Sequence, residues 1–242
     1  MIPLRDGTPS GTIPLVTILL IVLNGIMWLY ELSLGPKAEA FVNHYGLTPL
    51  KLVEYYRFDG GFMANALTPL FTSIFMHGSW LHIIGNMWFL WIFGDNVEDR
   101  LGHLKYFVFY LLCGIGAALI HVAFHPSSSL PVIGASGAIS GILGAYLVSY
   151  PGARIHTLLI IFVIIRFVEI PAYAFLIFWF AFQFLSGAVE LSAHQDVAGV
   201  AYWAHMGGFV VGILLLWIMP KNPRYRTATW EDAGGRKIFT RW

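Results

Sequence analysis

The sequence predicts an all-α membrane protein, a polytopic bundle of six transmembrane helices with an interfacial loop between the first and the second. Three observations point there. The chain is 57% hydrophobic and only 11% charged, where a soluble domain carries about 25% charged residues. Lipid must cover what charge does not. Apolar runs near the length of a membrane span recur along the chain. Lys and Arg gather in alternate connecting segments, as the positive-inside rule requires.

The first span runs from about Ile13 to Leu34, after Arg5. Its apolar run exceeds the roughly 7–15 residues of a signal-peptide core, and no convincing A-x-A site follows, so it reads as a retained helix. The loop from about Gly35 to His77 mixes aromatics with scattered charges, which suits short amphipathic pieces at the membrane interface. The second span is "WLHIIGNMWFLWIFG", beginning near Gly78 and reaching full length only with Asn96 and Val97. The third runs from Leu104 to about Phe124. The fourth, from about Gly134 to Tyr150, is near the lower limit of roughly 17 residues.

The region from Ile155 to Ala188 is too long for one helix and short for two, and Arg166, Glu169 and Pro171 interrupt it. It predicts a partly embedded segment up to Arg166, then a fifth helix from Pro171. The sixth span runs from about Gly199 to Met219. The division expected is a short N-terminal segment (1–12), a membrane domain (13–220) and a basic tail (221–242).

Arg5, Arg100, Lys105, Arg154 and the tail cations fall on one side of this topology. The loops "HPSSSLP" and "SAHQDVAG" on the other side carry no Lys or Arg. The first loop has Lys37, Lys51 and Arg57 balanced by Glu39, Glu54 and Asp59. Both termini are therefore expected in the cytoplasm. A short chain without extra soluble domains suits a prokaryotic inner membrane. A net charge of +1 gives no basic surface for nucleic acid. Cys113 is the single cysteine, which excludes internal disulfides and C-x-x-C sites and leaves it as a small packing residue.

Three polar clusters lie within the apolar spans. His77, His82 and Asn86 stand in "HGSWLHIIGNMW", with His82 and Asn86 four apart on one helix face. Ser136 and Ser140 stand among Gly134, Gly137, Gly141 and Gly144. His205 stands in "WAHMGGFVVG". Taken singly, the glycines and serines read as packing residues, since Gly137/Gly141 and Gly208/Gly212 are GxxxG pairs that bring membrane helices close. Buried histidines are costly and point to function.

Together these parts make an acyl-transfer site. A serine hydroxyl needs a base within about 2.6–3.2 Å, and glycine on both helices permits that approach. An amide and a second imidazole on a third helix can bind an oxyanion. No Asp or Glu lies near His205 in its helix, which predicts a dyad rather than a triad.

In these motifs the chain resembles the rhomboid family of intramembrane serine proteases. "GASGAISG" is similar to its G-x-S-G nucleophile motif, "HGSWLHIIGNMWFLWIFGDNVEDRLG" to its second span with H-x-x-x-N, and "AHMGGFVVG" to its general-base span. The resemblance covers roughly residues 60 to 220. It implies Ser136 as nucleophile and His205 as base. His82, Asn86 and the Ser136 backbone N–H would form the oxyanion site. Gly134 would keep the approach open, with His77 nearby. Ser140 reads as a packing or hydrogen-bonding residue. Thr68-Pro69 stands where many rhomboids carry Trp-Arg, which puts any stabilising role of that pair in doubt here. Glu98 falls where the family has an acidic structural residue, a position that an ordinary interfacial charge explains equally well.

The implied activity is cofactor-free and metal-free hydrolysis of peptide bonds in or near transmembrane segments of other membrane proteins in the bilayer. Small or helix-breaking residues at the cleaved bond lower the cost of unwinding. Three rival readings use the same residues: a transporter with a buried polar path, a metal site on His77, His82 and His205, and a catalytically inactive rhomboid-like binding protein. The spans show neither a core carboxylate nor an inverted repeat. No H-E-x-x-H is present, and both Ser136 and His205 are.

Overall fold

The computed structural model describes residues 1–58, 64–161, 164–193, 200–222, 229–231 and 237–239. Strand β1 (Ile2–Asp6) leads into α1 (Leu15–Ser33). The interfacial segment forms three short helices, α2 (Ala38–Tyr45), α3 (Pro49–Phe58) and α4 (Ala64–Thr72). Helices α5 (Trp80–Leu101), α6 (His103–Phe124) and α7 (Ser136–Ser149) follow. A hairpin of β2 (Arg154–Ile161) and β3 (Ile164–Pro171) then precedes α8 (Ala172–Ala193) and α9 (Tyr202–Ile218). In the tail, β4 (Thr229–Glu231) pairs with β5 (Lys237–Phe239). Most of the tail and the loop at 194–199 lie outside the described residues.

The chain is a helical membrane protein, and its six long helices match the six predicted spans. Leu15–Ser33, His103–Phe124 and Ala172–Ser192 are each long and apolar enough to cross a bilayer. Their apolar side chains point outward, as at Ile18, Val22, Ile26 and Leu29 on α1 and at Phe178, Phe182 and Leu185 on α8. Exposed apolar faces of this extent are covered by lipid.

Helix α7 is different. Every residue from Gly137 to Tyr146 is buried, as expected of a helix apolar all round. Its 14 residues span roughly 21 Å at 1.5 Å per residue, less than the ~30 Å of a bilayer core. Ser136 is its first residue. The largest fully buried side chains include Phe93, Tyr106, Phe109 and Tyr110, together with Tyr146 of α7 itself.

Glycine sets the α7–α9 spacing. A Cβ on Gly208 would lie 2.0 Å from the Gly137 carbonyl oxygen, and one on Gly212 would lie 2.1 Å from that of Gly141. On α7, a Cβ on Gly144 would lie 2.3 Å from the Phe209 carbonyl oxygen. The two backbones touch, which only glycine at these positions allows.

The segment expected before Pro171 is a β-hairpin. Its ladder runs from Arg154↔Pro171 to Ile161↔Ile164, and β1 adds to β2 to complete a three-stranded sheet. The physical reason is composition. "RIHTLLII" and "IIRFVEIP" are rich in β-branched residues, which favour strand over helix when an apolar run lacks helical period. Ile155 and Thr157 bury one face of the sheet, while Ile160, Ile165 and Phe167 stay exposed on the hairpin. Helix α8 begins directly after Pro171, where it was expected.

Buried carboxylates fix the helix ends. No side chain caps α1 at Pro14. Glu98 of α5 does so from across the bundle, its carboxylate accepting from Val16 N (2.8 Å), Thr17 N (2.8 Å) and Thr17 Oγ1 (2.7 Å). His103 Nδ1 lies 2.5 Å from the same carboxylate. Orphan N–H groups and the helix dipole both favour an anion there. Glu98 is thus a structural residue and 1% exposed, which resolves its reading against an interfacial charge. Asp99 beside it accepts from Gly11 N and Thr12 Oγ1. At the other end of α1, buried Glu31 accepts from the His77 backbone N–H at 3.1 Å, pinning the turn that precedes α5.

Candidate active site

Three chain segments converge on the start of α7. The first is the α5 N-terminus. Ser79 caps it, accepting from His82 N at 3.2 Å, the ordinary role of Ser before a helix. This start places His82 in the first turn and Asn86 one turn further along the same face.

The second segment is the turn into α7. Gly134 adopts φ 129°, a conformation that side chains resist. Its N–H donates to Ser73 O at 2.8 Å. A Cβ there would lie 2.6 Å from His82 Nε2 and 3.7 Å from Asn86 Nδ2. The imidazole and the amide thus abut the backbone two residues before Ser136. Ser136 opens α7, so its N–H is one of the unpartnered donors of a helix N-terminus, in the positive field of the helix dipole.

The third segment is the first turn of α9, which carries His205. A Cβ on Gly137 would lie 3.9 Å from Ala204 O. The neighbour of Ser136 therefore faces the neighbour of His205 across the glycine contact. His205 Nδ1 pairs with Gln183 Oε1 of α8 at 2.8 Å, and the Trp179 ring lies 6.1 Å away, tilted by 30°.

These segments enclose a cavity of about 890 Å³ whose wall includes His82, Asn86, Gly134, Ser136 and His205. Five of the six residues singled out in the sequence share it. The sixth, His77, is buried behind the wall, with Nε2 2.9 Å from Asn86 Nδ2 and its ring edge-on to His82 at 5.1 Å. It touches the wall residues rather than lining the cavity. Ser140 donates to Ser136 O at 2.6 Å, satisfying its hydroxyl within the helix. Among the described residues no three His, Cys, Asp or Glu side chains converge as metal ligands.

Sequence reasoning missed Gln183 and Glu31. Gln183 is a lone amide in the apolar run "FWFAFQFLSG", and that isolation is the signal that could have found it. Glu31 is a lone carboxylate near the end of the first span.

Residues 64–222 match the family model described as Rhomboid domain. Among curated proteins, the chain is 31% identical over 206 residues to "Rhomboid-like protein 11, chloroplastic" of Arabidopsis thaliana, covering 83% of this chain and 67% of that one. It is 30% identical over 175 residues to "Rhomboid protein 1, mitochondrial" of Saccharomyces cerevisiae, covering 68% and 45%. It is 27% identical over 171 residues to "Presenilin-associated rhomboid-like protein A, mitochondrial" of Danio rerio, covering 67% and 40%. The match thus spans less than half of the last two relatives.

Proposed function

The chain belongs to the rhomboid family, and from that premise we propose that it is an intramembrane serine endopeptidase working through Ser136 and His205. One observation carries the reading. Ser136 opens a buried, glycine-packed helix inside a cavity whose wall also includes His205, His82 and Asn86.

The chemistry follows from those groups. Ser136 Oγ attacks the carbonyl carbon of the scissile bond while its proton passes to His205 Nε2. The carbonyl π pair moves onto oxygen. The Ser136 N–H, Asn86 Nδ2 and His82 stabilise that oxyanion. His205 then protonates the departing amide nitrogen as the C–N bond breaks, leaving an acyl ester on Ser136. Water enters, gives its proton to His205 and attacks the ester. Collapse of the second intermediate returns the proton to Ser136 Oγ and releases the carboxylic acid. The cavity, with Ser136, His205, His82 and Asn86 in its wall, gives this water a place.

Substrates are transmembrane segments that unwind locally to present a carbonyl, a step that Gly or Pro near the bond makes less costly. The proposal sets both termini on the cation-rich cytoplasmic side of a prokaryotic inner membrane. Two of the similar proteins are named for the chloroplast and the mitochondrion; the topology proposed rests on the loop charges of this chain alone. Cys113 is buried, so cysteines introduced singly at Lys37 and at Lys221 can be probed against a low background and should react from opposite sides.

The deciding experiment reconstitutes the full chain with a single-span substrate. The wild type should cleave it and take up a fluorophosphonate. Ser136→Ala and His205→Ala should do neither while remaining folded. Cleavage that survives Ser136→Ala, or transport of a solute that does, would reject the reading.

A further inference from the structure

Helix α8 turns a broad apolar face outward, with Phe178, Phe182, Phe184 and Leu185 all exposed. Gln183 is the exception in that stretch. It is 7% exposed, and its Oε1 lies 2.8 Å from His205 Nδ1. One turn before it, Trp179 flanks the His205 ring. One turn after it, Gly187 O accepts from Trp203 Nε1 at 3.2 Å. Trp179, Gln183 and Gly187, spaced by four, thus form the stripe of α8 that grips the first turn of α9.

An amide oxygen can only accept a hydrogen bond. A neutral imidazole carries its proton on one nitrogen, and the partner of that nitrogen decides which. We propose that Gln183 is a positioning residue that holds the proton of His205 on Nδ1 and fixes the ring, leaving Nε2 a bare lone pair for the Ser136 proton. The inference rests on the Ser136–His205 reading above. It replaces the dyad expected from the sequence with a triad whose third member is neutral and comes from a different helix. The choice of an amide has a physical reason. A carboxylate at this depth would be a buried charge whenever His205 is neutral, at a large desolvation cost. An amide orients the ring without one.

Two measurements on the full chain test this. The first is the ¹⁵N spectrum of histidine-labelled protein, with the His205 signals identified by their loss in His205→Ala. The wild type should show a protonated Nδ1 and a bare Nε2, and Gln183→Leu should populate the opposite tautomer. The second is kinetics. Gln183→Leu should lower kcat and fluorophosphonate uptake by roughly 10–100-fold with KM within about twofold, because ring orientation serves proton transfer rather than binding. Gln183→Glu keeps an acceptor, so it should recover most of the lost kcat per folded molecule while lowering thermal stability through the buried charge.

A wild type with Nε2–H would overturn the inference, and that spectrum needs no folded variant. So would Gln183→Leu with undiminished kcat. If the wild type cleaves and labels but ignores Gln183→Leu, this inference alone fails. If the wild type is as inert as Ser136→Ala, the underlying reading fails and this one with it.

Discussion

Gly208 and Gly137 pack so closely that a methyl group on the first would lie 2.0 Å from the carbonyl oxygen of the second. Nothing can be absorbed there by side-chain rotation, because the obstacle is backbone. Gly208→Ala should therefore push α9 from α7, separate His205 from Ser136 and abolish cleavage. Its thermal unfolding in detergent should fall by many degrees, the overpacking of a rigid contact costing about 1–3 kcal/mol or more. Gly25 is the control. A Cβ there meets nothing within 4 Å, so Gly25→Ala should be neutral or stabilise by up to ~1 kcal/mol. Equal effects at the two sites would remove the claim that backbone contact sets the spacing.

Gly134→Ala should separate catalysis from folding. The residue has φ 129°, and a Cβ would meet His82 Nε2 at 2.6 Å. The imidazole ends a side chain and can move away, so the protein should fold with a backbone strain of about 1–3 kcal/mol. His82 would then leave the oxyanion position, and kcat should fall by about 10²-fold or more. A variant with wild-type kcat would show that the His82–Gly134 contact is incidental.

Much of this was legible in the sequence because it follows from residue type and spacing. The spans follow from hydropathy and length. Ser136, His205, His82 and Asn86 stand out because polar groups in apolar runs are costly. The Gly208–Gly137 contact follows from small residues at four-residue spacing. What was not legible depends on partners distant in the chain. Glu98 could not be told from a surface charge until Val16 and Thr17 were placed against it. Gln183 acts 22 positions before His205, from a different helix, so a search along His205's own helix could not find it. The hairpin at 154–171 was hidden because a continuous apolar run has no period to distinguish a strand from a helix. Only its β-branched content favours the strand.

Glu98→Ala should unfold the protein from the α1 end without altering the chemistry. It would leave the N–H groups of Val16 and Thr17 without their acceptor, while the Thr17 hydroxyl keeps Tyr106 Oη at 3.2 Å as a partner. Each buried donor left unpaired costs about 1–3 kcal/mol, so a loss of several kcal/mol is expected. Cleavage per folded molecule at low temperature should stay near wild type. Wild-type thermal stability would mean that water or another group caps α1 equally well.

Asn86→Ala should reduce kcat by about 10²–10³-fold, the usual worth of one oxyanion donor, while fluorophosphonate still reaches Ser136 slowly. His77→Ala should cost less, roughly 10-fold by analogy with other orienting partners behind a reacting group. Its Nε2 lies 2.9 Å from Asn86 Nδ2, and that amide is its hydrogen-bonding partner in the site. The double variant should then be no worse than Asn86→Ala alone, since residues acting through one another are not additive. A double variant that multiplies the two losses would give His77 an independent role.

The N-terminal strand should be held more tightly in mild acid than in base. Asp6 accepts from Tyr146 Oη at 2.6 Å, Asn96 Nδ2 at 3.0 Å and Thr8 N at 3.3 Å, joining β1 to α7 and α5. Burial pushes its carboxyl up to about 6, against the lowering effect of the Tyr146 hydrogen bond. A carboxyl whose folded pKa is raised favours the folded state while protonated. That contribution is complete below the unfolded pKa near 4 and is lost as pH rises through about 6. Hydrogen exchange at the β1 amides, corrected for the intrinsic rate, should therefore show greater protection at pH 5 than at pH 8. Asp6→Asn keeps an acceptor for Tyr146 and removes the titration, so its protection should no longer change across that interval. A wild type equally protected at both values, or an Asp6→Asn protein with the same pH dependence, would show that another group governs the strand.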